Sequence, residues 1–176
     1  LAASPRWPRW FGSRKRRSRL GLLDRFRRGG GAAGPASRVA VIGLDGVGVP
    51  LVQDLIARGL MPVLGALVRT GTLAPMRSSI PTISSVSWTG FTTGRNPGKH
   101  GIYGFTDVKP GTLTMFFPNF GNVKTPTLWD VAGQAGKRSV VLNIPGTYPA
   151  RALNGMLVSG FVAVNLERAV TPPELL

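Results

Sequence analysis

The chain has no cysteine, which rules out disulfides and is consistent with a reducing compartment. It has a single histidine, His100, and only 7 acidic residues in 176. Catalytic zinc usually takes three ligands from imidazole and carboxylate groups, so the sequence is poor in the residues such a centre needs. No stretch approaches the roughly 18 apolar residues of a membrane-spanning helix. The short Leu20-Gly21-Leu22-Leu23 run is too brief for the apolar segment of a secretory signal. With no span and no signal, the expected location is the cytoplasm.

Basic residues are plentiful, with 22 Lys and Arg giving a net charge of +15. They are unevenly distributed. Residues 1–38 carry 11 of the 22 and one acidic residue, Asp24, for +10, which leaves +5 on residues 39–176. The sequence RWPRWFGSRKRRSRLGLLDRFRR leads into Gly29-Gly30-Gly31-Ala32-Ala33-Gly34-Pro35, a composition that suits a flexible tether. Two regions follow: a basic, Arg/Gly-rich disordered arm over 1–37 and a folded domain over 38–176. The arm reads either as a solvated tail or as an electrostatic tether. In the second case residues 5–28 contact nucleic acid or an anionic membrane, with Trp7, Trp10, Phe11 and Phe26 available for stacking or interfacial contact.

In the second region, VAVIGLDG (39–46) reads as a buried parallel strand over 39–44 that delivers Asp45 at its C-terminal end. In open α/β sheets that edge is where ligands bind. A plain strand-to-loop turn is the simpler alternative, since Asp-Gly is common in turns. A dinucleotide loop is excluded, because Gly43, Gly46 and Gly48 are spaced G-x-x-G-x-G rather than G-x-G-x-x-G. Residues 79–105 are richer still. Pro81 imposes an extended lead-in, and Ser84-Ser85-Val86-Ser87-Trp88 opens a helix that ends near Gly94. A serine at a helix start lies among unpaired N–H groups and near the positive end of the helix dipole. Ser84 or Ser85 is therefore either a helix cap or a hydroxyl placed to meet a phosphate.

VIGLDG, PTISSVSWTGFTTGRNPGKHGIYGF, TPTLWDVAGQAGKRSVVLNIPGTYP (125–149) and TPPELL (171–176), in that order, resemble the type I phosphodiesterase/nucleotide pyrophosphatase family of the alkaline phosphatase superfamily. The resemblance runs from Val39 to Leu176. It implies a metal-dependent hydrolase of phosphodiester or phosphomonoester bonds acting on a small phosphate ester. Asp45 matches the family's first metal-binding aspartate. Ser84 matches its nucleophile, which lies beside the metal and forms a covalent phospho-enzyme. Where nucleotide pyrophosphatases carry an asparagine that touches the phosphoryl group, this chain has Ser87, so Ser87 is the implied substrate-binding residue. The cysteine-derived nucleophile of the related sulfatases is impossible here. Two divalent metal ions, zinc by resemblance, belong to the complete domain.

The remaining ligands of that site are missing from the sequence. Past Asp45 the carboxylates are Asp54, Asp107, Asp130, Glu167 and Glu174, and no histidine follows His100. None stands in Asp-x-x-x-His or Asp-His-Gly context. His100 and Lys99 read as a structural turn residue and a solvated cation. The expectation is a chain incomplete at its C-terminus and inactive alone, beginning with Leu1 and ending where another helix starts. The expected fold is α/β, an alkaline-phosphatase-like three-layer sandwich with a mostly parallel sheet. Helices are expected near 50–58, 62–70, 84–93 and 127–134, and strands at 39–44, 112–117, 137–144 and 155–160. The alternative to a hydrolase is a non-catalytic fragment whose basic arm binds polyanions.

The arm supports a direct test. Counterion release makes the log of duplex-DNA affinity fall by about 0.9 per phosphate neutralised for each unit of log salt, so five or six contacts give a slope near about −5. Deleting residues 1–35 is expected to remove nearly all of that slope in a salt titration. An unchanged slope would identify the arm as an inert tail.

Overall fold

The computed structural model of the chain describes residues 38–176. The arm over 1–37, with its proposed contacts over 5–28, lies outside the described residues. By internal contacts the chain divides into two units, Leu1–Gly43 and Leu44–Leu176. Of the first, residues 38–43 are described. They have no regular structure, and Val39, Val41 and Ile42 are exposed.

The expected strand over 39–44 is therefore absent. A buried parallel strand needs ladder partners at its sides and cover on both faces. Residues 39–44 belong to no ladder, and their apolar side chains stay in solvent. The turn at the end of the segment does form. Asp45 and Gly46 make it, with Gly46 at φ +70°, a conformation that glycine adopts without a Cβ penalty.

Helix α1 (Val49–Ala57) follows, then α2 (Pro62–Thr70). Each has a proline in its first turn, where the missing N–H costs no hydrogen bond. Helix α3 (Ser84–Thr93) is closed by Gly94, whose φ of +61° ends the helix and whose N–H donates to Gly90 O. A single turn, α4 (Pro97–His100), leads to a small antiparallel hairpin. In the hairpin β1 (Asp107–Val108) pairs with β2 (Met115–Phe116). The expected strand over 112–117 is thus shortened to two residues, because Thr112–Thr114 are spent on closing the turn. Lys109 N–H donates to Thr114 O and Thr112 N–H to Lys109 O.

The largest sheet joins β3 (Ser139–Ile144), β4 (Gly155–Ser159) and β5 (Val170–Thr171) in that order. Strands β3 and β4 are parallel, with Val141 opposite Leu157, whereas β4 and β5 are antiparallel. Helix α5 (Leu128–Gln134) lies just before β3 in the chain. Thr127 and Asp130 cap α5 reciprocally: Thr127 N–H donates to Asp130 Oδ2 at 2.7 Å, and Asp130 N–H to Thr127 Oγ1 at 3.4 Å. The result is a mixed α/β fold with small sheets.

The core is Phe120, Trp129, Val141 and Leu157, with Val123, Ile144, Ala150 and Leu153 packed against it. Arg151 covers its edge, stacking 3.8 Å from the Phe120 ring centroid and donating to Phe120 O. Glycine lets the two parallel strands close on one another. A Cβ on Gly155 would lie 1.8 Å from Ser139 O, and one on Gly160 would lie 2.5 Å from Ile144 O. No single helix among the described residues is long and apolar enough to cross a membrane.

Leu157 is fully buried at the centre of this core. Leu157→Ala is expected to cost about 3 kcal/mol in urea unfolding, the usual range for a buried leucine. Leu113→Ala, at a side chain 98% exposed, should stay within about 0.5 kcal/mol. Equal effects would show that Leu157 does not anchor the fold.

Candidate functional site

Helix α3 is oriented by its buried stripe. Val86, Thr89 and Thr92 recur every third residue and are buried, which turns Ser84 and Ser87 to another side. The buried threonines satisfy their hydroxyls on the helix itself: Thr89 Oγ1 donates to Ser85 O at 2.7 Å and Thr92 Oγ1 to Thr89 O at 3.2 Å. At the end of β3, Gly146 faces the same helix, since a Cβ there would lie 3.9 Å from Thr89 Oγ1. The helix carrying Ser84 therefore borders the C-terminal end of a parallel strand.

Ser84 and Ser85 do not cap the helix. The N-cap is Ile83, and no side chain caps it. Ser84 sits in the first turn, and its Oγ donates to Asp45 Oδ1 at 3.3 Å, joining two residues 39 positions apart. Ser84 is half-buried and Asp45 exposed. The neighbouring Ser85 Oγ is buried and makes no hydrogen bond among the described residues. Of the two serines, only Ser84 meets a carboxylate. Ser87 Oγ lies 2.9 Å from Ser79 Oγ and 3.1 Å from Ser78 Oγ. These two partners were not singled out by the sequence reading, because an extended serine pair upstream of Pro81 has no periodic signal.

Three of the other carboxylates have local work. Asp54 pairs with Arg58 at 3.3 Å on an exposed face of α1. Asp107 Oδ1 accepts Val108 N–H at 2.8 Å, and Asp130 is consumed by the α5 cap. Among the described residues no group of three His, Cys, Asp or Glu side chains gathers where a metal ion could sit. Asp45 and Ser84 supply two hard oxygen donors, which falls short of the protein ligands a two-metal zinc centre needs. The described residues do not fit that centre.

His100 is fully buried. Its Nδ1 accepts Ile102 N–H at 3.1 Å, its own N–H donates to Asn96 O at 3.0 Å and its O accepts Lys124 N–H at 3.0 Å. Nδ1 as acceptor assigns the neutral ring's proton to Nε2, which is buried without a partner among the described residues. Desolvation lowers its pKa below the ordinary histidine value. The His100 backbone carbonyl ties the turn after α3 to the Lys124 segment, and the ring holds the Ile102 N–H. Lys99 is exposed.

The family model for type I phosphodiesterase / nucleotide pyrophosphatase matches residues 39–175, and the chain belongs to that family, within the alkaline phosphatase superfamily. No curated protein and no solved structure matches the chain.

The histidine yields a pH prediction. Its pKa is lowered in the folded state, so the unfolded chain binds the proton more readily. The stability associated with neutral His100 is fully present above about pH 6.5, the unperturbed value, and is lost as pH falls toward the lower folded pKa. Protonation would also turn Nδ1 from acceptor to donor and break the Ile102 bond. The thermal midpoint is expected to fall between pH 7.5 and 5, and His100→Asn, which keeps an acceptor near Nδ1, should flatten that fall. An equally steep fall in the variant would assign the pH dependence to other groups.

Proposed function

We infer that the chain contributes the nucleophile of a phosphoric-ester hydrolase of the phosphodiesterase/nucleotide pyrophosphatase type. The observation that carries this reading is the Ser84–Asp45 hydrogen bond, formed between the start of α3 and the Asp45-Gly46 turn by residues distant in sequence. Family membership supports it. The reading includes a three-layer α/β sandwich with a mostly parallel sheet around the site.

In this mechanism Ser84 Oγ attacks the phosphorus of a small phosphate ester. Its proton passes toward Asp45, the hydrogen-bonded carboxylate. The P–O bond to the leaving alcohol breaks, and the alkoxide departs with the bonding electrons. Water then cleaves the phospho-serine. A helix start leaves its first N–H groups without intrahelical partners, which suits a phosphoryl oxygen; in α3 the Val86 and Ser87 N–H groups are already taken by Ile83 O. Ser85 is unsuited to the attack, because its hydroxyl is buried.

The test uses a phosphate ester labelled at phosphorus and the chain joined to a segment that supplies the remaining metal ligands, since residues 1–176 are expected to be inactive alone. Ser84→Ala is expected to abolish covalent labelling, and Ser85→Ala to retain most of it. Loss of a nucleophile in a coupled site costs on the order of 10⁶ in turnover where it has been measured. Asp45→Asn should lower the labelling rate while leaving Ser84 the labelled residue. Label on Ser85, or undiminished labelling of Ser84→Ala, would overturn the assignment.

A further inference from the structure

Ser87 lies three residues beyond Ser84 on α3, so the two side chains share a face about 5–6 Å apart at Cβ. Its hydroxyl is the centre of a three-serine cluster with Ser78 at 3.1 Å and Ser79 at 2.9 Å. Ser79 Oγ also reaches Pro81 O at 3.4 Å. Ser79 and Ser87 are half-buried, and Ser78 is exposed.

Counting protons limits what this cluster can do. Each hydroxyl has one proton to give and two lone pairs to fill. If Ser79 donates to Pro81 O, its proton is spent, so Ser87 must donate to Ser79 and Ser78 to Ser87. The chain then runs inward and Ser87 has no proton left for a ligand. If Ser79 gives up the long Pro81 contact and donates to Ser87, Ser87 either donates to Ser78 or, with Ser78 also donating, has both lone pairs filled by Ser78 and Ser79. In the latter arrangement the one proton of Ser87 is free for a ligand on the face it shares with Ser84. A hydroxyl that accepts two hydrogen bonds is polarised and becomes a stronger donor.

Resting on the reading of Ser84 as nucleophile, we propose that Ser79 is a positioning residue that, with Ser78, turns the Ser87 hydroxyl outward to donate to a non-bridging phosphoryl oxygen held beside Ser84. Reversal sacrifices only the longest contact of the cluster and gains a hydrogen bond to an anionic oxygen, which is the stronger kind. An anion at Ser84 thereby selects the outward orientation, and a neutral ester without a charged oxygen does not. The device sets preference for anionic phosphate esters at the level of binding.

Inorganic phosphate is the probe, titrated into the full chain and followed by phosphorus NMR line broadening. Ser87→Ala and Ser79→Ala are each expected to weaken phosphate binding by about five-fold, the size of one hydrogen bond. Ser79→Thr, which keeps the hydroxyl, should return it to within about two-fold of the parent. A purely structural role for Ser79 would show instead as a lower thermal midpoint with phosphate affinity unchanged. Ser84→Ala separates the two ideas. It should abolish covalent labelling while phosphate still discriminates Ser79→Ala from Ser79→Thr. Labelling that survives Ser84→Ala overturns the nucleophile, whereas unchanged phosphate affinity in Ser79→Ala and Ser87→Ala overturns the positioning role. No phosphate binding by the parent chain overturns the positioning role as well.

Discussion

The close pairing of β3 and β4 is the constraint on which the rest of this fold depends. It places Val141 against Leu157 at the core, and Thr147 seals its C-terminal end. Thr147 Oγ1 donates to Ile144 O at 2.6 Å and accepts Gly160 N–H at 3.1 Å, while Thr147 O accepts Ser159 Oγ at 2.9 Å. Every polar group of that buried threonine side chain is thus used, which is the condition for burying it cheaply. The same turn presents Gly146 to Thr89 of α3. Alignment of the Ser84 helix therefore depends on a strand pair nearly sixty residues further along the chain.

That dependence separates what was legible in the sequence from what was not. The helices at 49–57, 62–70, 84–93 and 128–134 were readable because their proline starts, glycine stops and the Thr127–Asp130 capping box are local signals. The strands β3 and β4 were readable from apolar, β-branched runs. The segment 39–44 has the same apolar composition and forms no strand, because pairing is a property of neighbours and not of the segment. The antiparallel addition of β5 was missed for the same reason: Val170-Thr171 has too few residues to carry a period.

At the site, the residue types were visible and their connections were not. Asp45 and Ser84 could be singled out from their motifs, but the bond between them requires the turn at Gly46 and the burial of Val86 and Thr89 together. The capping alternative was reasonable for a serine at a helix start. It fails because Ile83 occupies the cap and leaves the Ser84 hydroxyl free to reach a carboxylate.

The distribution of carboxylates explains why Asp45 stands apart chemically. Asp54, Asp107 and Asp130 satisfy an arginine, a neighbouring N–H and a helix cap, so their oxygens are committed to local structure. Asp45 is exposed and accepts from a hydroxyl rather than from a cation or the backbone. Such a hydrogen bond holds the serine in one rotamer and, among the described residues, leaves the carboxylate's other lone pairs uncommitted. A structural carboxylate is usually saturated; a carboxylate that faces solvent with one serine as partner keeps capacity for a proton or a ligand. The chemistry of the site therefore follows from what Asp45 is not required to do for the fold.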